Sequence, residues 1–153
     1  MSKKRLSQTK KNIVFLGHMG SGKSTIGRGL SKKLGLDFYD TDKEIEKEMG
    51  QKIAKIFDES GESIFRNIER KITLKLLDKK NSIIALGGGG FEDLKIRKLI
   101  LNKCNSIWLK CDLNILEKRC RVSKKRPLLS NKNIKAEFER LNKIRQKNYS
   151  KAK

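Results

Sequence analysis

The sequence predicts an α/β fold in three layers, with helices covering both faces of a parallel β-sheet. Short apolar segments alternate with segments of helical periodicity, an order that is typical of parallel strands joined by crossover helices. The apolar residues 13–16 lead directly into the glycine-rich residues 17–24, GHMGSGKS, which open the first helical segment. At 153 residues the chain is long enough to bury a core and has the length of one domain.

The N-terminal elements follow from this periodicity. We expect a strand over residues 12–16 and a helix over residues 23–34. Because Ile26, Leu30 and Leu34 recur at intervals of four, they fall on one face of that helix. This face is predicted to pack against the sheet.

The second strand is expected over residues 37–40, and Thr41 is expected to cap a charged helix that ends near residue 49. A short helix over residues 53–57 and a long helix over residues 62–77 come next. The spacing of apolar residues predicts that the inner face of the long helix consists of Ile64, Phe65, Ile68, Ile72 and Leu76.

The C-terminal half continues the alternation. The predicted elements are a buried strand over residues 82–86, a helix over 92–101, a strand over 106–110, a helix over 114–119 and a final helix over 134–149. Four glycines, residues 87–90, follow the buried strand directly. Residues 121–131 show no period and hold the only proline, so they predict a basic loop.

The composition argues against several classes of protein. No segment approaches the roughly 18 consecutive apolar residues of a membrane span, and the basic residues 1–11 lack the apolar stretch of a secretory signal. Cys104, Cys111 and Cys120 are spaced neither as a disulfide framework nor as a zinc site. We therefore expect a cytoplasmic protein with reduced thiols and a disordered basic leader over residues 1–11.

The formal net charge of +21 invites a nucleic-acid interpretation, because neutralising phosphates releases counterions. The positive residues are mostly lysines spread along the whole chain, and the interleaved aromatic residues of common RNA-binding modules are absent. A solvated lysine-rich surface explains the charge better. Its positive field would still raise association rates for anionic substrates.

The glycine-rich residues 17–24 are typical of a phosphate-binding P-loop, since they lie between a strand and a helix. Backbone N–H groups of such a loop converge with the positive end of the helix dipole on a polyphosphate. Lys23 would reach the terminal phosphates, and the Ser24 hydroxyl would bind Mg²⁺. The alternative is a glycine-rich turn that binds nothing, which the Lys-Ser pair after Gly22 disfavours.

Two further segments end at the same predicted edge of the sheet. Asp40 and Asp42 follow the second strand; one carboxylate could hold Mg²⁺ through water and the other could face an acceptor hydroxyl. An acid-rich helix N-terminus is an equally good explanation of the pair by itself. The four glycines at residues 87–90 would let a ligand approach the backbone closely.

Three arginines stay ambiguous when each is considered alone. Arg66 lies three residues before Glu69, which suits a surface ion pair of little energetic consequence. Arg126 and Arg145 carry no local signal. In a phosphoryl-transfer site, such guanidinium groups would hold a substrate carboxylate or stabilise the phosphoryl group in transfer. The single histidine, His18, is expected to be incidental.

The order and spacing of these segments together resemble the shikimate kinase family, compact relatives of the nucleoside monophosphate kinases. The resemblance runs from about residue 12 to residue 149. The matching segments are residues 17–24, Asp40-Thr41-Asp42, Glu44-Ile45-Glu46, residues 53–57, Gly61-Glu62, Phe65-Arg66-Asn67-Ile68-Glu69, Leu86-Gly87-Gly88-Gly89, Arg126-Pro127-Leu128-Leu129, Arg145 and Tyr149.

The resemblance implies a P-loop kinase fold in a single domain over residues 12–153, with substrate-binding helices at about 41–77 and a lid at about 120–132. It implies Mg²⁺-dependent transfer of the γ-phosphoryl group of ATP to the 3-hydroxyl of shikimate, on the route to chorismate and the aromatic amino acids. The enzyme would be a monomer, with ATP and shikimate as its partners and neither membrane nor nucleic acid among them.

The resemblance also implies roles for individual residues. ATP contacts are implied for Gly20, Ser21, Gly22, Lys23, Ser24, Thr25, Arg119 (at the adenine) and Arg126. Shikimate contacts are implied for Asp42, Arg66, Gly88, Gly89 and Arg145, with the two arginines on its carboxylate. Lys23, Asp42 and Arg126 would be catalytic: Asp42 would orient or deprotonate the attacking hydroxyl, and Arg126, on the lid, would stabilise the transferring group. Ser24 and Asp40 would position Mg²⁺.

The family usually adds a further strand and a last helix beyond the position of Tyr149, whereas this sequence stops at Lys153. Without them an edge of the sheet would be exposed. Either these elements are dispensable or replaced here, or stability and ATP affinity are reduced.

Two alternative functions differ from this one. A related kinase acting on another hydroxylated acid such as gluconate is disfavoured, because Arg66, the glycines and Arg145 fit the shikimate pattern. A truncated, weakly active relative would bind nucleotide or nucleic acid through its basic surface, with salt-sensitive binding and no shikimate-dependent turnover.

Overall fold

The computed structural model describes residues 11–121 and 133–153. Four short strands in this part of the chain form one sheet: β1 Ile13–Leu16, β2 Asp37–Asp40, β3 Ser82–Ala85 and β4 Asn105–Trp108. The strand order is β2-β3-β1-β4, and every pairing is parallel. The predicted parallel sheet is therefore confirmed.

The helices lie between these strands. They are α1 Lys23–Leu34, α2 Thr41–Met49, α3 Ile53–Leu77, α4 Leu94–Lys103, α5 Leu113–Arg121 and α6 Ile134–Tyr149, with a 3₁₀ turn at Gly90–Glu92. α3 is interrupted at Gly61, where φ is 81° and ψ is 173°. This break separates the two helices that the sequence predicts on either side of residue 61.

The strand register brings the ends of three neighbouring strands to one line. Asp40 pairs with Ala85, and Ala85 pairs with Phe15. The segments that follow β1, β2 and β3 consequently start at the same edge of the sheet, which is where ligands bind in sheets of this type.

The prediction of the buried face of α1 is wrong. Ile26 and Leu34 are 48% and 41% exposed, whereas Gly27 and Ser31 are buried. At Gly27 an added Cβ would lie only 2.7 Å from Cε2 of Phe38. Small residues therefore form the contact of α1, because they let the helix lie close to the sheet.

The cap of α2 also differs from the prediction by one residue. The Oδ1 of Asp40 accepts hydrogen bonds from the backbone N–H of Asp42 at 3.0 Å and of Lys43 at 3.3 Å. Asp40 is therefore the N-cap, and Thr41 is the first helical residue. The Thr41 hydroxyl turns inward instead and accepts a hydrogen bond from the Gly87 N–H at 2.8 Å.

The inner face of α3 agrees with the prediction except at Ile64, which is 48% exposed. Phe65, Ile72 and Leu76 are buried, and Ile68 packs against them. Glu69 is buried on this face as well. The buried face is therefore turned away from Ile64.

The remaining predicted bounds differ by small amounts. β3 ends at Ala85 and β4 spans Asn105–Trp108. The predicted helix from residue 92 begins at Leu94, because the Asp93 side chain caps it by accepting from the N–H groups of Lys95 and Ile96.

Two expected segments fall largely outside the described residues. Only Lys11 of the basic leader is described, and the lid is described only as far as Arg121. Arg126 therefore lies outside the described part of the chain. Within residues 11–121 and 133–153, no helix is both long and apolar enough to cross a membrane.

Candidate active site

The loop between β1 and α1 wraps around its own lysine. The buried Lys23 donates from Nζ to the carbonyl oxygens of Gly17 at 2.7 Å and His18 at 2.9 Å. A Cβ at residue 17 would lie 2.8 Å from the Leu109 carbonyl oxygen, so glycine is required there. Gly22 caps α1 in a left-handed conformation with φ of 97°, which glycine adopts without strain. The loop thus presents the N-terminus of α1 together with a buried ammonium group.

A hydroxyl and a carboxylate meet next to this loop. The Ser24 Oγ donates to Oδ2 of Asp40, while the other oxygen of Asp40 caps α2. Both side chains offer oxygen ligands, which Mg²⁺ prefers. Within the described residues, no group of three or more His, Cys, Asp or Glu side chains could hold a metal ion.

A cleft of about 560 Å³ opens in front of the loop. Its walls include Gly20, Ser21, Gly22, Lys23, Ser24, Thr25, Asp40, Asp42, Gly87, Gly88 and Arg119. Arg119 donates from Nη1 to the Gly20 carbonyl oxygen at 2.7 Å, which places α5 beside the loop. Every described residue predicted to bind ATP or metal therefore lines one cleft.

A second cavity of about 420 Å³ contains the two predicted carboxylate-binding arginines. An added Cβ at Gly89 would lie 2.6 Å from Nη2 of Arg66, and one at Gly88 would lie 3.1 Å from Nη1 of Arg145. Both guanidinium groups thus lie so close to the Gly88–Gly89 turn that residues with a side chain would not fit there. Gly88 lines the first cleft and Gly89 the second, so the turn joins the two cavities.

The ion pair of Arg66 is not the surface pair that the sequence suggests. Arg66 donates from Nη1 to Oε1 of Glu69 at 2.8 Å, and the Glu69 side chain is only 4% exposed. Burial raises the pKa of Glu69, while the nearby Arg66 opposes that rise. The carboxylate therefore orients Arg66 from inside the protein.

Arg145 provides a buried cation at the same cavity. It is 4% exposed, and its Nη1 has no hydrogen-bond partner among the described residues. A buried donor without an acceptor is costly, and a bound anion would satisfy it. This orphaned donor is suited to an anionic ligand at the second cavity.

Tyr149 fixes the glycine turn from the other side. Its hydroxyl donates to the Gly88 carbonyl oxygen. Burial raises the pKa of Tyr149 to about 12, so the phenol stays protonated at neutral pH and remains a donor.

From the sequence alone, no role in the site is predicted for three residues that hold it together. Glu69 gave a usable signal, because it lies one helical turn after Arg66. Thr41 was assigned to the cap, although a small hydroxyl between two aspartates also suits an inward contact. His18, expected to be incidental, is 95% buried, with only 5% of its surface exposed. Nothing in the local sequence indicates its contacts with α6.

The sequence and the structure both match known shikimate kinases. The family model described as shikimate kinase matches residues 19–153. The chain is 41% identical over 142 residues to a shikimate kinase of Zymomonas mobilis, covering 93% of this chain and 81% of that protein. It is 45% identical over 137 residues to one of Persephonella marina, covering 88% and 83%.

Among solved structures, a shikimate kinase from Acinetobacter baumannii in complex with shikimate superposes with a TM-score of 0.91. It is 34% identical, and the match covers 95% of this chain and 82% of that one.

Proposed function

The chain belongs to the shikimate kinase family, and we propose that its two joined cavities carry out that family's reaction with the residues described above. The enzyme is an ATP-dependent small-molecule kinase. It transfers the γ-phosphoryl group of ATP to the 3-hydroxyl of shikimate, giving shikimate 3-phosphate. The observation that carries the residue assignment is the convergence of Arg66 and Arg145 on the Gly88–Gly89 turn, next to the cleft of the phosphate-binding loop.

The first cleft takes ATP. Lys23 exchanges its bonds to the Gly17 and His18 carbonyl oxygens for phosphate oxygens, which are stronger acceptors because they are charged. Backbone N–H groups of Gly20 to Thr25 and the N-terminus of α1 surround the phosphates. Arg119, which lines this cleft and donates to the Gly20 carbonyl oxygen, contacts the adenine.

Ser24 and Asp40 would hold Mg²⁺ together with the phosphates. Their adjacent oxygens fit an ion that arrives with ATP, since Mg²⁺ keeps waters and takes few protein ligands. When bound, the ion neutralises charge on the phosphate oxygens and orients them.

The second cavity takes the carboxylate of shikimate. Arg145 offers its orphaned Nη1, and Arg66 offers a guanidinium group already oriented by Glu69. Planar guanidinium groups bind carboxylates through paired hydrogen bonds. Backbone groups of Gly88 and Gly89 contact the substrate ring at the join of the two cavities.

Asp42 acts on the acceptor hydroxyl. It lines the ATP cleft, and its Oδ1 lies 2.8 Å from where a Cβ on Gly87 would be, one residue before the turn that the substrate approaches. From there its carboxylate orients the 3-hydroxyl and accepts its proton as the hydroxyl oxygen bonds to the γ-phosphorus and the bond from that phosphorus to the bridging oxygen breaks, releasing ADP. Arg126, outside the described residues, closes over ATP from the lid and stabilises the transferring group.

We propose a cytoplasmic monomer with ATP and shikimate as its partners. The high positive charge serves as a solvated surface that attracts both anionic substrates.

A coupled assay of ADP release tests the function. The full chain with Mg²⁺ and ATP is expected to release ADP rapidly only when shikimate is present, at both low and high salt. Lys23→Ala and Asp42→Asn should each remove most of this turnover. ATP binding without shikimate-dependent turnover, accompanied by salt-sensitive binding to nucleic acid, would instead support the repurposed relative.

A further inference from the structure

His18 is buried against one face of α6. Its ring makes edge-on contacts with Phe138, at 6.0 Å between centroids, and with Tyr149, at 5.4 Å. Its Nε2 lies 3.2 Å from Oδ1 of Asn142. Because a side-chain carbonyl oxygen only accepts, Nε2 carries the proton and donates. The ring therefore has both a packing contact and a directed hydrogen bond to this helix.

The same helical face carries the carboxylate-binding arginine. Residues 138, 142, 145 and 149 are spaced by four, three and four, so they lie on one side of α6. Arg145 thus lies between Asn142 and Tyr149, both of which contact His18. The His18 ring therefore contacts α6 on both sides of Arg145.

The backbone of His18 contacts the phosphate-binding lysine. Its carbonyl oxygen accepts from Nζ of Lys23 at 2.9 Å. The Gly17 carbonyl oxygen also accepts from this ammonium group, at 2.7 Å. His18 is therefore joined to Lys23 in the nucleotide cleft through its backbone, and through its side chain to α6, the helix that carries Arg145.

The burial of His18 favours the uncharged form of its ring. Burial lowers the pKa of His18, the bond to Asn142 opposes that effect, and the positive charges of Arg145 and Lys23 lower the pKa further. The ring is consequently neutral at physiological pH. It lies near the positive charges of Arg145 and Lys23 without adding a third positive charge.

We propose that His18 is a positioning residue that couples the nucleotide cleft to the carboxylate cavity. When ATP phosphates bind Lys23, the His18 carbonyl oxygen loses its bond to the ammonium group and the loop relaxes around the new ligand. The ring then transmits this change to α6 through Asn142, Phe138 and Tyr149. The affinity of Arg145 for the substrate carboxylate changes as a result, and by reciprocity shikimate changes the affinity for nucleotide. This inference rests on the proposed function.

Calorimetric titration of the full chain measures this coupling. The dissociation constant of shikimate is determined with and without a saturating non-hydrolysable ATP analogue and Mg²⁺, and the ratio is the coupling factor. We expect a factor of about fivefold or more for the unmodified protein. His18→Phe keeps an aromatic ring but loses the donor, and Asn142→Leu removes the acceptor. Both should bring the factor below about twofold while ADP release with shikimate persists.

A second side-chain hydrogen bond of α6 supplies the matched control. Asn148 donates from Nδ2 to Oε2 of Glu92 at 2.9 Å, so Asn148→Leu removes one hydrogen bond from the same helix without touching His18. This variant should keep the coupling factor of the unmodified protein. If it loses the coupling to the same extent, α6 is merely loosened and the assignment to His18 is overturned.

The remaining outcomes separate this inference from the proposed function. Shikimate-dependent turnover with a coupling factor of one in the unmodified protein would overturn the inference alone. So would full coupling in Asn142→Leu or His18→Phe. Failure of the unmodified protein to turn over shikimate would overturn the proposed function, and the inference with it.

Discussion

The Asp42 carboxylate lies in the space that a side chain on Gly87 would occupy. The Oδ1 of Asp42 lies 2.8 Å from the position that a Cβ on residue 87 would take, and Oε2 of Glu69 lies 3.1 Å from the same point. The Thr41 hydroxyl holds the Gly87 N–H at 2.8 Å, so the backbone there has little freedom to move away. The position of Asp42 therefore depends on the absence of one methyl group.

Gly87→Ala is predicted to slow phosphoryl transfer by displacing Asp42. A displacement of about 1 Å in an acid-base group lowers the rate constant on the order of tenfold to a hundredfold. Steady-state kinetics should show this loss in kcat, with the KM for ATP little changed. Gly29→Ala is the control, because a Cβ at residue 29 meets nothing within 4 Å. Equal kcat values in the two variants would contradict the proposed role of Asp42.

Arg66→Ala is predicted to weaken shikimate binding far more than ATP binding. Arg66 lines the carboxylate cavity and is oriented by Glu69. Charge-assisted hydrogen bonds contribute about 1.5–3 kcal/mol, so the KM for shikimate should rise roughly tenfold to a hundredfold. Titrating each substrate at saturation of the other separates the two effects.

The control for Arg66 is another cation on α3. Lys75 pairs with Glu48 at 3.1 Å, and both side chains are largely exposed, so Lys75→Ala should leave both KM values unchanged. An equal loss of ATP affinity in Arg66→Ala would contradict the assignment of this arginine to shikimate binding.

Alkaline pH is predicted to destabilise the protein through Tyr149. Burial raises the pKa of Tyr149 to about 12, whereas an unfolded tyrosine titrates at about 10. The unfolded chain therefore loses the phenolic proton first as the pH rises. The contribution of this group to the free energy of unfolding is complete below a pH of about 10 and is lost as the pH approaches the folded value.

Denaturant unfolding at a series of alkaline pH values tests this contribution. Tyr149→Phe has no phenol to ionise, so its free energy of unfolding should fall less steeply over that pH range than that of the unmodified protein. Lysines also titrate there, but they are common to both proteins and cancel in the comparison. Parallel curves for the two proteins would show that Tyr149 makes no such contribution.

The convergence of the site was predictable from the sequence. A parallel sheet brings the carboxyl ends of its strands to one edge, so the P-loop, Asp42 and the glycines had to meet once the strands were identified. The structure confirms the sheet and brings Arg66 and Arg145 to the same place. The chemical roles assigned to these residues stay predictions until the variants are measured.

Other features depend on contacts between segments that are distant in the sequence. The burial of Glu69 and the contact of His18 with Asn142 exist only because α3 and α6 pack beside the loops. Periodicity also failed for α1, since it counts apolar side chains and gives no weight to glycine. Helices can approach a sheet through small residues, and such a contact leaves larger apolar residues exposed.

This explanation of α1 leads to a prediction about stability that is independent of catalysis. Gly27→Ala would place a methyl group 2.7 Å from Cε2 of Phe38 and 3.5 Å from Cγ2 of Ile83. Overpacking of this kind costs about 1–3 kcal/mol, which exceeds the roughly 1 kcal/mol that alanine gains over glycine in a helix. The free energy of unfolding should therefore decrease.

Gly29→Ala lies two residues further along the same helix and supplies the matched comparison. Its methyl group meets nothing within 4 Å, so only the helical preference of alanine acts and the free energy of unfolding should rise by about 0.5–1 kcal/mol. Denaturant unfolding of both variants at neutral pH measures the opposite signs directly. A stabilising effect of Gly27→Ala would mean that Phe38 yields easily, and that α1 does not need glycine to approach the sheet.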